Sequence, residues 1–166
     1  MTTRRHVIAC IGALPILSLV GCGQGETGAS CQPVALSDTR ECALCGMRIS
    51  NFPGPKGQAC VDDGQTLGFC STNDLLSWAW QPDSKPRIQR LYVQDLSQTR
   101  WQSPSNDAWV DAREAVYVAG HDQEGAMGHS PAPFSDSKDA ERFAAEHGGQ
   151  LRRFKELDWD SLKARS

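Results

Sequence analysis

The chain has 166 residues, with 20 acidic and 17 basic side chains and a formal net charge of −3. Its hydrophobic fraction of 39% is ordinary for a globular protein, and its length suits one domain with a modest core. Because the chain is mildly acidic and has no run of lysine or arginine, nucleic acid is excluded as an expected partner.

The N-terminal residues have the pattern of a targeting signal. Arg4 and Arg5 precede an apolar run broken only by small or neutral residues and one proline, and "LVGC" follows, ending at Cys22. This pattern is typical of bacterial lipoproteins, so residues 1–21 are predicted to be cleaved and Cys22 to be lipidated. An ordinary signal peptide or a short membrane anchor is the alternative, but a spanning helix needs roughly 20 apolar residues. Gly23 after the lipidated cysteine favours the outer membrane.

The mature chain is predicted to open with a tether and a hairpin. Residues 22–37 form the lipidated tether, because the stretch after Cys22, "GQGETGAS", contains no apolar residue larger than alanine. Further on, a turn sequence Asp-Asp-Gly separates two short, partly apolar segments within residues 56–70. This arrangement predicts a β-hairpin.

A helix and a strand complete the first half of the domain. Ser71, with Asp74 three residues later, forms a capping-box-like start, and Pro82 ends the helical pattern. Residues 87–96, "RIQRLYVQDL", alternate and predict a strand. The first half therefore has the order strand, strand, helix, strand.

The second half repeats this order. A strand is predicted at residues 114–120, a helix within residues 135–149 that Gly148 caps, and a closing strand at residues 151–157. We therefore predict an α+β fold of two small β-β-α-β units, residues 38–98 and residues 99–166.

The starts of the two predicted helices align. Phe69 lies five residues before Asp74, and Phe134 lies five residues before Asp139. This correspondence is the second reason to predict two copies of one small unit.

The cysteine count is informative in a protein exported from the cytoplasm. Cys10 is predicted to leave with the signal and Cys22 to carry the lipid, so an odd number of cysteines remains and at least one must be free, metal-bound or paired between chains. A disulfide across the predicted hairpin, joining Cys60 to Cys70, is the favoured interpretation of that pair. The remaining cysteines are Cys31, Cys42, Cys45, Cys60 and Cys70.

Cys42 and Cys45 form a C-x-x-C motif that is compatible with several chemistries. A thioredoxin-like couple needs a helix that lowers the pKa of the first thiol, and the glycines and prolines after this motif disfavour a helix. Covalent haem needs histidine where Gly46 stands. Structural zinc would need further ligands, for which Cys60 and Cys70 are candidates. A Cys42–Cys45 disulfide would close a tight and strained ring.

Monovalent copper suits the motif best. Cu(I) is soft, selects thiolate and thioether ligands, and accepts two or three of them. The motif continues into Met47, and Met127 lies in the glycine-flanked stretch "EGAMGHSPAPF" instead of the apolar stripe typical of a core methionine. His129 is either an imidazole ligand or a solvated loop histidine. We therefore predict a metal site formed by Cys42, Cys45, Met47, Met127 and His129.

Three stretches together resemble a known family. "ECALCGM" behind a lipoprotein signal, then "AMGHSPAPF", then "DAERFAAEHGG" are similar to the NosL family, the copper-binding lipoproteins encoded with nitrous oxide reductase. The resemblance covers nearly the whole mature chain and implies two β-β-α-β units similar to an organomercurial lyase domain. Cys42, Cys45, Met47 and Met127 match the family motifs. His129 does not match a diagnostic position, and its role depends on chemistry and proximity.

The resemblance implies a copper chaperone and not an enzyme. Cu(I) would arrive from an exporter or a small periplasmic carrier, and would pass to nitrous oxide reductase for its four-copper centre by stepwise replacement of sulfur ligands. The lipid would hold the protein on the periplasmic side of the envelope, in the outer membrane. An envelope-tethered, zinc-stabilised interaction module and a thiol oxidoreductase remain as alternatives.

Overall fold

The computed structural model describes residues 31–163, and the predicted signal, Cys22 and most of the predicted tether lie outside them. Within the described part, the first half of the chain forms a four-stranded antiparallel sheet with one helix. The strand order is β2-β1-β3-β4, and α1 connects β2 to β3. These elements are β1 (Gly57–Val61), β2 (Thr66–Phe69), α1 (Thr72–Ala79), β3 (Ile88–Gln94) and β4 (Trp109–Asp111).

The second half forms a three-stranded antiparallel sheet of order β8-β5-β9 with the second helix. A separate two-stranded hairpin, β6-β7, is inserted between the first two strands of this sheet. The elements are β5 (Val116–Ala119), β6 (Glu124–Gly125), β7 (Gly128–His129), β8 (Ala132–Phe134), α2 (Ser137–His147) and β9 (Gln150–Arg153).

The two halves have the same order, with β5, β8, α2 and β9 in the places of β1, β2, α1 and β3. The predicted α+β fold with a repeated β-β-α-β order is therefore confirmed. The predicted closing strand over residues 151–157 is too long, because β9 ends at Arg153 and a 3₁₀ turn follows over Phe154–Glu156. Among residues 31–163, no helix has the length and apolar character needed to cross a bilayer.

The core lies between α1 and one face of the first sheet. Phe69, Leu75 and Val93 are fully buried there, and Tyr117 of the second half joins the same cluster. A smaller cluster beneath α2 contains Phe134. Because the main cluster takes residues from both halves, the two units share a core and support each other.

The opposite face of the first sheet is covered by the N-terminal segment. The Gln58 side-chain amide hydrogen-bonds to both the backbone N–H and the carbonyl of Val34. The Asn106 amide does the same for Leu36. A disulfide joins Cys31 to a cysteine of β1, so the last residues of the predicted tether are fixed to the sheet.

The predicted disulfide between Cys60 and Cys70 is therefore wrong. Cys60 is bonded to Cys31, with a Cα–Cα distance of 5.6 Å. In the β1-β2 hairpin, Cys60 is opposite Thr66, whereas Phe69 is opposite Gly57. Cys70 therefore lies past the far end of β1, roughly 10 Å or more from Cys60 at about 3.3 Å per residue, beyond the Cα–Cα distance of about 7 Å that a disulfide spans.

Candidate metal centre

The C-x-x-C motif forms a tight loop that returns the chain on itself. The Cys42 N–H donates to the Met47 carbonyl at 2.8 Å, and the Gly46 N–H donates to the Cys42 carbonyl at 2.9 Å. Gly46 has φ of +73°, a conformation that favours glycine. The motif residue after the second cysteine is thus required by the turn, whichever ion the loop binds.

The loop is fastened to the end of β2. The Ala43 N–H donates to the Gly68 carbonyl at 2.9 Å. A Cβ at Gly68 would lie 2.9 Å from Cδ1 of Ile49 and 3.1 Å from Cδ2 of Leu36, so the close approach needs a residue without a side chain. This contact brings the cysteine loop to the place where β2 turns into α1.

The turn from β2 into α1 supplies two more polar groups. Ser71 caps the helix by accepting a hydrogen bond from the Asp74 N–H at 3.0 Å, as the capping-box pattern predicted. The Asp74 carboxylate, only 5% exposed, points toward the cysteine loop. Its Oδ2 atom lies 3.3 Å from the Cys42 sulfur and 3.2 Å from the Cys70 sulfur, and it accepts hydrogen bonds from both thiols.

Four side chains consequently converge on one point. The Sγ atoms of Cys45 and Cys70 are 3.6 Å apart. The three sulfurs and one carboxylate oxygen of Asp74 all lie within 4.8 Å of one another. Sulfurs that share one metal ion at about 2.3 Å are themselves separated by roughly 4 Å, so this cluster needs only small side-chain shifts to bind an ion. Cys42 and Cys70 are buried, and Cys45 is partly exposed and gives access from solvent.

The thiols of the cluster differ in acidity. The pKa of Cys42 is lowered to about 6, chiefly because the Cys70 thiol donates to its sulfur, with the backbone N–H groups of the loop adding to the effect against the cost of burial. The pKa of Cys70 is raised because it shares that proton with Cys42, because it is buried, and because Asp74 is negative. Burial raises the pKa of Cys45. Cys42 is therefore the first sulfur available as a thiolate ligand.

The other predicted ligands lie on neighbouring elements. Met47 is partly buried against the core, next to the cysteine loop. Met127 is 52% exposed at the turn of the β6-β7 hairpin. His129 lies on β7 with Nε2 3.8 Å from Oε1 of Glu124, and its Nδ1 is buried without a hydrogen-bond partner among the described residues. The ring of His129 is not part of the four-atom cluster.

The hairpin is nevertheless joined to the helix that carries the cluster. The side-chain amide of Asn73 donates to the His129 carbonyl at 3.1 Å, and the backbone N–H of Asn73 donates to Ser130 Oγ at 2.9 Å. Asn73 directly precedes Asp74 in α1. The first turn of α1 thus connects the β6-β7 hairpin, which carries Met127, to the sulfur cluster in the first half of the chain.

Cys70 and Asp74 are the two cluster residues that sequence reasoning did not assign to the site. Cys70 was assigned to a disulfide, and Asp74 was explained by helix capping alone. The stretch "FCSTND" contained a signal for both residues. Cys70 directly precedes the N-cap, and Asp74 follows four residues later, so both side chains lie at the N-terminus of the same helix. Choosing the site over the disulfide required the hairpin register, which the sequence alone did not provide.

Comparison with known proteins gives consistent matches. A model of the NosL family matches residues 33–162. The copper-binding lipoprotein NosL of Stutzerimonas stutzeri is 42% identical over 149 residues, which cover 89% of this chain and 78% of that protein. The crystal structure of the copper chaperone NosL from Shewanella denitrificans has 41% identity and a TM-score of 0.76, over 78% of this chain and 97% of that chain. The matched region includes both halves of the fold.

Proposed function

This chain belongs to the NosL family, and from that premise we propose that it is a chaperone that binds Cu(I) and delivers it for assembly of the four-copper centre of nitrous oxide reductase. The observation that carries the proposal is the convergence of three thiols at the N-terminus of α1. Three sulfurs in a buried pocket are the ligand set that a soft, monovalent ion selects.

We assign the primary copper site to Cys42, Cys45 and Cys70. Asp74 is a hard ligand, which Cu(I) disfavours, so its role is to accept hydrogen bonds from the thiols and orient the sulfurs. In this proposal Met47, Met127 and His129 are the ligands that join during loading or release. The exposure of Met127 supports that role, and so does the Nδ1 of His129, which has no hydrogen-bond partner within residues 31–163.

Transfer by ligand exchange fits this arrangement. Copper from an exporter or a small periplasmic carrier would first meet Cys45, the partly exposed thiol, and would then be taken over by the buried sulfurs. Release to the reductase would reverse these steps, with a thioether such as Met127 holding the ion between sites. The lipid on Cys22 would keep the protein on the periplasmic side of the outer membrane, where the reaction takes place.

Zinc is the second candidate ligand. The observation that favours it is Asp74, since three thiolates and one carboxylate form a complete tetrahedral zinc set. A structural zinc would stabilise the fold, so a chelator would unfold the protein. A copper chaperone is expected to stay folded without metal, because its main core extends well beyond the sulfur cluster and takes buried residues from both halves of the chain.

The decisive test is an anaerobic titration of the full chain with Cu(I) against a chromophoric competing chelator. Cys70→Ser should lower the Cu(I) affinity by more than about 100-fold, because losing an outer hydrogen-bond partner of a metal ligand already costs roughly 10- to 100-fold. The matched control is the double variant Cys31→Ser with Cys60→Ser, which removes two sulfurs outside the cluster and leaves the cluster intact. Equal Cu(I) affinity in Cys70→Ser and in the control would refute the proposed site. Unfolding of the wild type by a zinc chelator would favour the zinc function.

A further inference from the structure

The described cysteines divide into one disulfide and three neighbouring thiols. Cys31 and Cys60 are bonded, which indicates that this protein meets disulfide-forming conditions. Cys42, Cys45 and Cys70 are reduced, yet two of their sulfurs are 3.6 Å apart. A disulfide bond is about 2.05 Å long, so the pair Cys45–Cys70 needs an approach of roughly 1.5 Å to become bonded.

From this geometry we propose that Cys45 and Cys70 are a covalent modification site, at which a disulfide-bearing oxidant forms a second, reversible disulfide that excludes metal from the cluster. The bond itself follows from the sulfur geometry alone. Its consequence, the exclusion of copper, rests on the proposed function.

Exposure determines the order of the two bond-forming steps. Cys45 is partly exposed, while Cys70 is fully buried beneath it. The Cys45 thiolate attacks one sulfur of the oxidant, a mixed disulfide forms, and the other half of the oxidant leaves as a thiol. Cys70 then attacks the Cys45 sulfur and releases the second half. Two electrons pass from the protein thiols to the oxidant disulfide, and their two protons end on the two thiols that leave.

Cys42 is held away from this chemistry by its surroundings. Its sulfur donates to the Asp74 carboxylate at 3.3 Å, whereas the sulfurs of Cys45 and Cys70 contact each other directly at 3.6 Å. A bond to Cys45 would also close a small ring across the tight turn at Gly46, and rings of that kind are strained. The buried partner that remains for Cys45 is Cys70, whose sulfur is within contact distance.

The new bond would use two of the three thiols that bind Cu(I). One thiolate with a thioether is a much weaker site, so oxidised protein would not hold copper and loaded protein would not be oxidised. Copper loading would therefore depend on a dithiol reductant acting on Cys45–Cys70, while the Cys31–Cys60 bond, whose Cys60 sulfur is buried, stays intact.

The experiment uses the full-length chain in detergent, reduced mildly until peptide mapping finds Cys31–Cys60 intact and the three other thiols free. The metal-free protein is then treated with oxidised glutathione and digested with trypsin and a protease that cuts before aspartate, which separates Cys60 from Cys70. We expect a Cys45–Cys70 cross-link, which persists in Cys42→Ser and is absent from Cys45→Ser and Cys70→Ser. A far-UV circular dichroism spectrum that matches the wild type shows that each variant is folded, and retention of the Cys31–Cys60 bond shows that the mild reduction spared it.

A Cys42–Cys45 cross-link, or three thiols that stay free under conditions that oxidise a model dithiol, would overturn the inference. In a second arm, oxidised protein should bind Cu(I) at least about 100-fold more weakly than reduced protein, and preloaded copper should block the cross-link. If the cross-link forms while the Cys70→Ser variant keeps wild-type Cu(I) affinity, the modification site stands and the copper site fails. The two proposals are thereby tested separately.

Discussion

Lowering the pH should destabilise this protein through one buried histidine. His121 is 1% exposed, and its Nε2 lies 2.8 Å from the Ser130 carbonyl. Its Nδ1 accepts the Gln123 N–H at 3.1 Å, so the neutral ring with its proton on Nε2 satisfies both partners. Burial lowers the pKa of His121 from 6.5 to about 4. Protonation would put a second proton on Nδ1, against the N–H of Gln123, and would charge a buried ring.

The sign and size of the effect follow from linkage. The unfolded chain binds this proton near pH 6.5 and the folded protein only near pH 4, so stability is complete above pH 6.5 and is lost as the pH falls. The free energy of unfolding should fall by about 2 kcal/mol between pH 7 and pH 5, and by about 3 kcal/mol by pH 4, from this residue alone.

The assay is urea unfolding at pH 7, 6, 5 and 4 on the wild type, on His121→Gln and on His147→Gln. His121→Gln should start less stable at pH 7, because it loses hydrogen bonds, but its stability should then fall by about 3 kcal/mol less than that of the wild type. His147→Gln changes a ring near the surface, so its free energy of unfolding should fall between pH 7 and pH 4 by as much as that of the wild type. Parallel curves for the wild type and His121→Gln would show that His121 does not carry this dependence.

Three further changes test the packing and the links of the fold. Replacing Cys31 and Cys60 by serine opens a loop with a sequence separation of 29 and should cost about 3–4 kcal/mol in urea unfolding, with Cu(I) affinity unchanged. Gly57→Ala should cost about 1–3 kcal/mol, since the added Cβ would lie 2.6 Å from Leu75, and unchanged stability would contradict this packing. Asn73→Ala removes the amide that holds the β6-β7 hairpin; we expect faster hydrogen exchange in that hairpin, and equal protection would argue against the link.

The sequence predicted the order of helices and strands well, because the residues that begin and end these elements act locally. Ser71 caps α1 and Gly148 ends α2, as their residue types indicate. The 3₁₀ turn that shortens β9 was missed because "LRRFKEL" alternates as a strand would, while the turn depends on hydrogen bonds around Glu156. The β6-β7 hairpin was missed because two-residue strands leave no periodic pattern.

The site was only partly predictable because its members come from different elements. Cys42 and Cys45 were predicted to act together because they share one short loop. Cys70 joins them through the approach of that loop to β2, which requires Gly68 to lack a side chain. Such long-range contacts depend on strand register, and a plausible alternative register would have paired Cys70 with Cys60. The wrong Cys60–Cys70 disulfide and the omission of Cys70 from the candidate site therefore have one cause, the misjudged hairpin register.

The repeated fold explains why the candidate metal centre lies where it does. Each unit ends its second strand in a buried phenylalanine and then turns into a helix, so the chain contains two equivalent corners. The residue after that phenylalanine is Cys70 in the first unit and Ser135 in the second. Four residues later stand Asp74, buried among thiols, and Asp139, which is paired with Arg142 near the surface.

The two strand-to-helix corners thus have equivalent backbone courses and differ in the side chains around them. Only the first corner has a cysteine loop packed over it, and only there is a carboxylate at the helix N-terminus desolvated against sulfur. The second unit instead contributes the hairpin that Asn73 fastens to α1, with Met127 at its tip. The fold contains two strand-to-helix corners, and the side chains around the first corner form the sulfur cluster. Function must therefore be argued from those residues and not from the repeat.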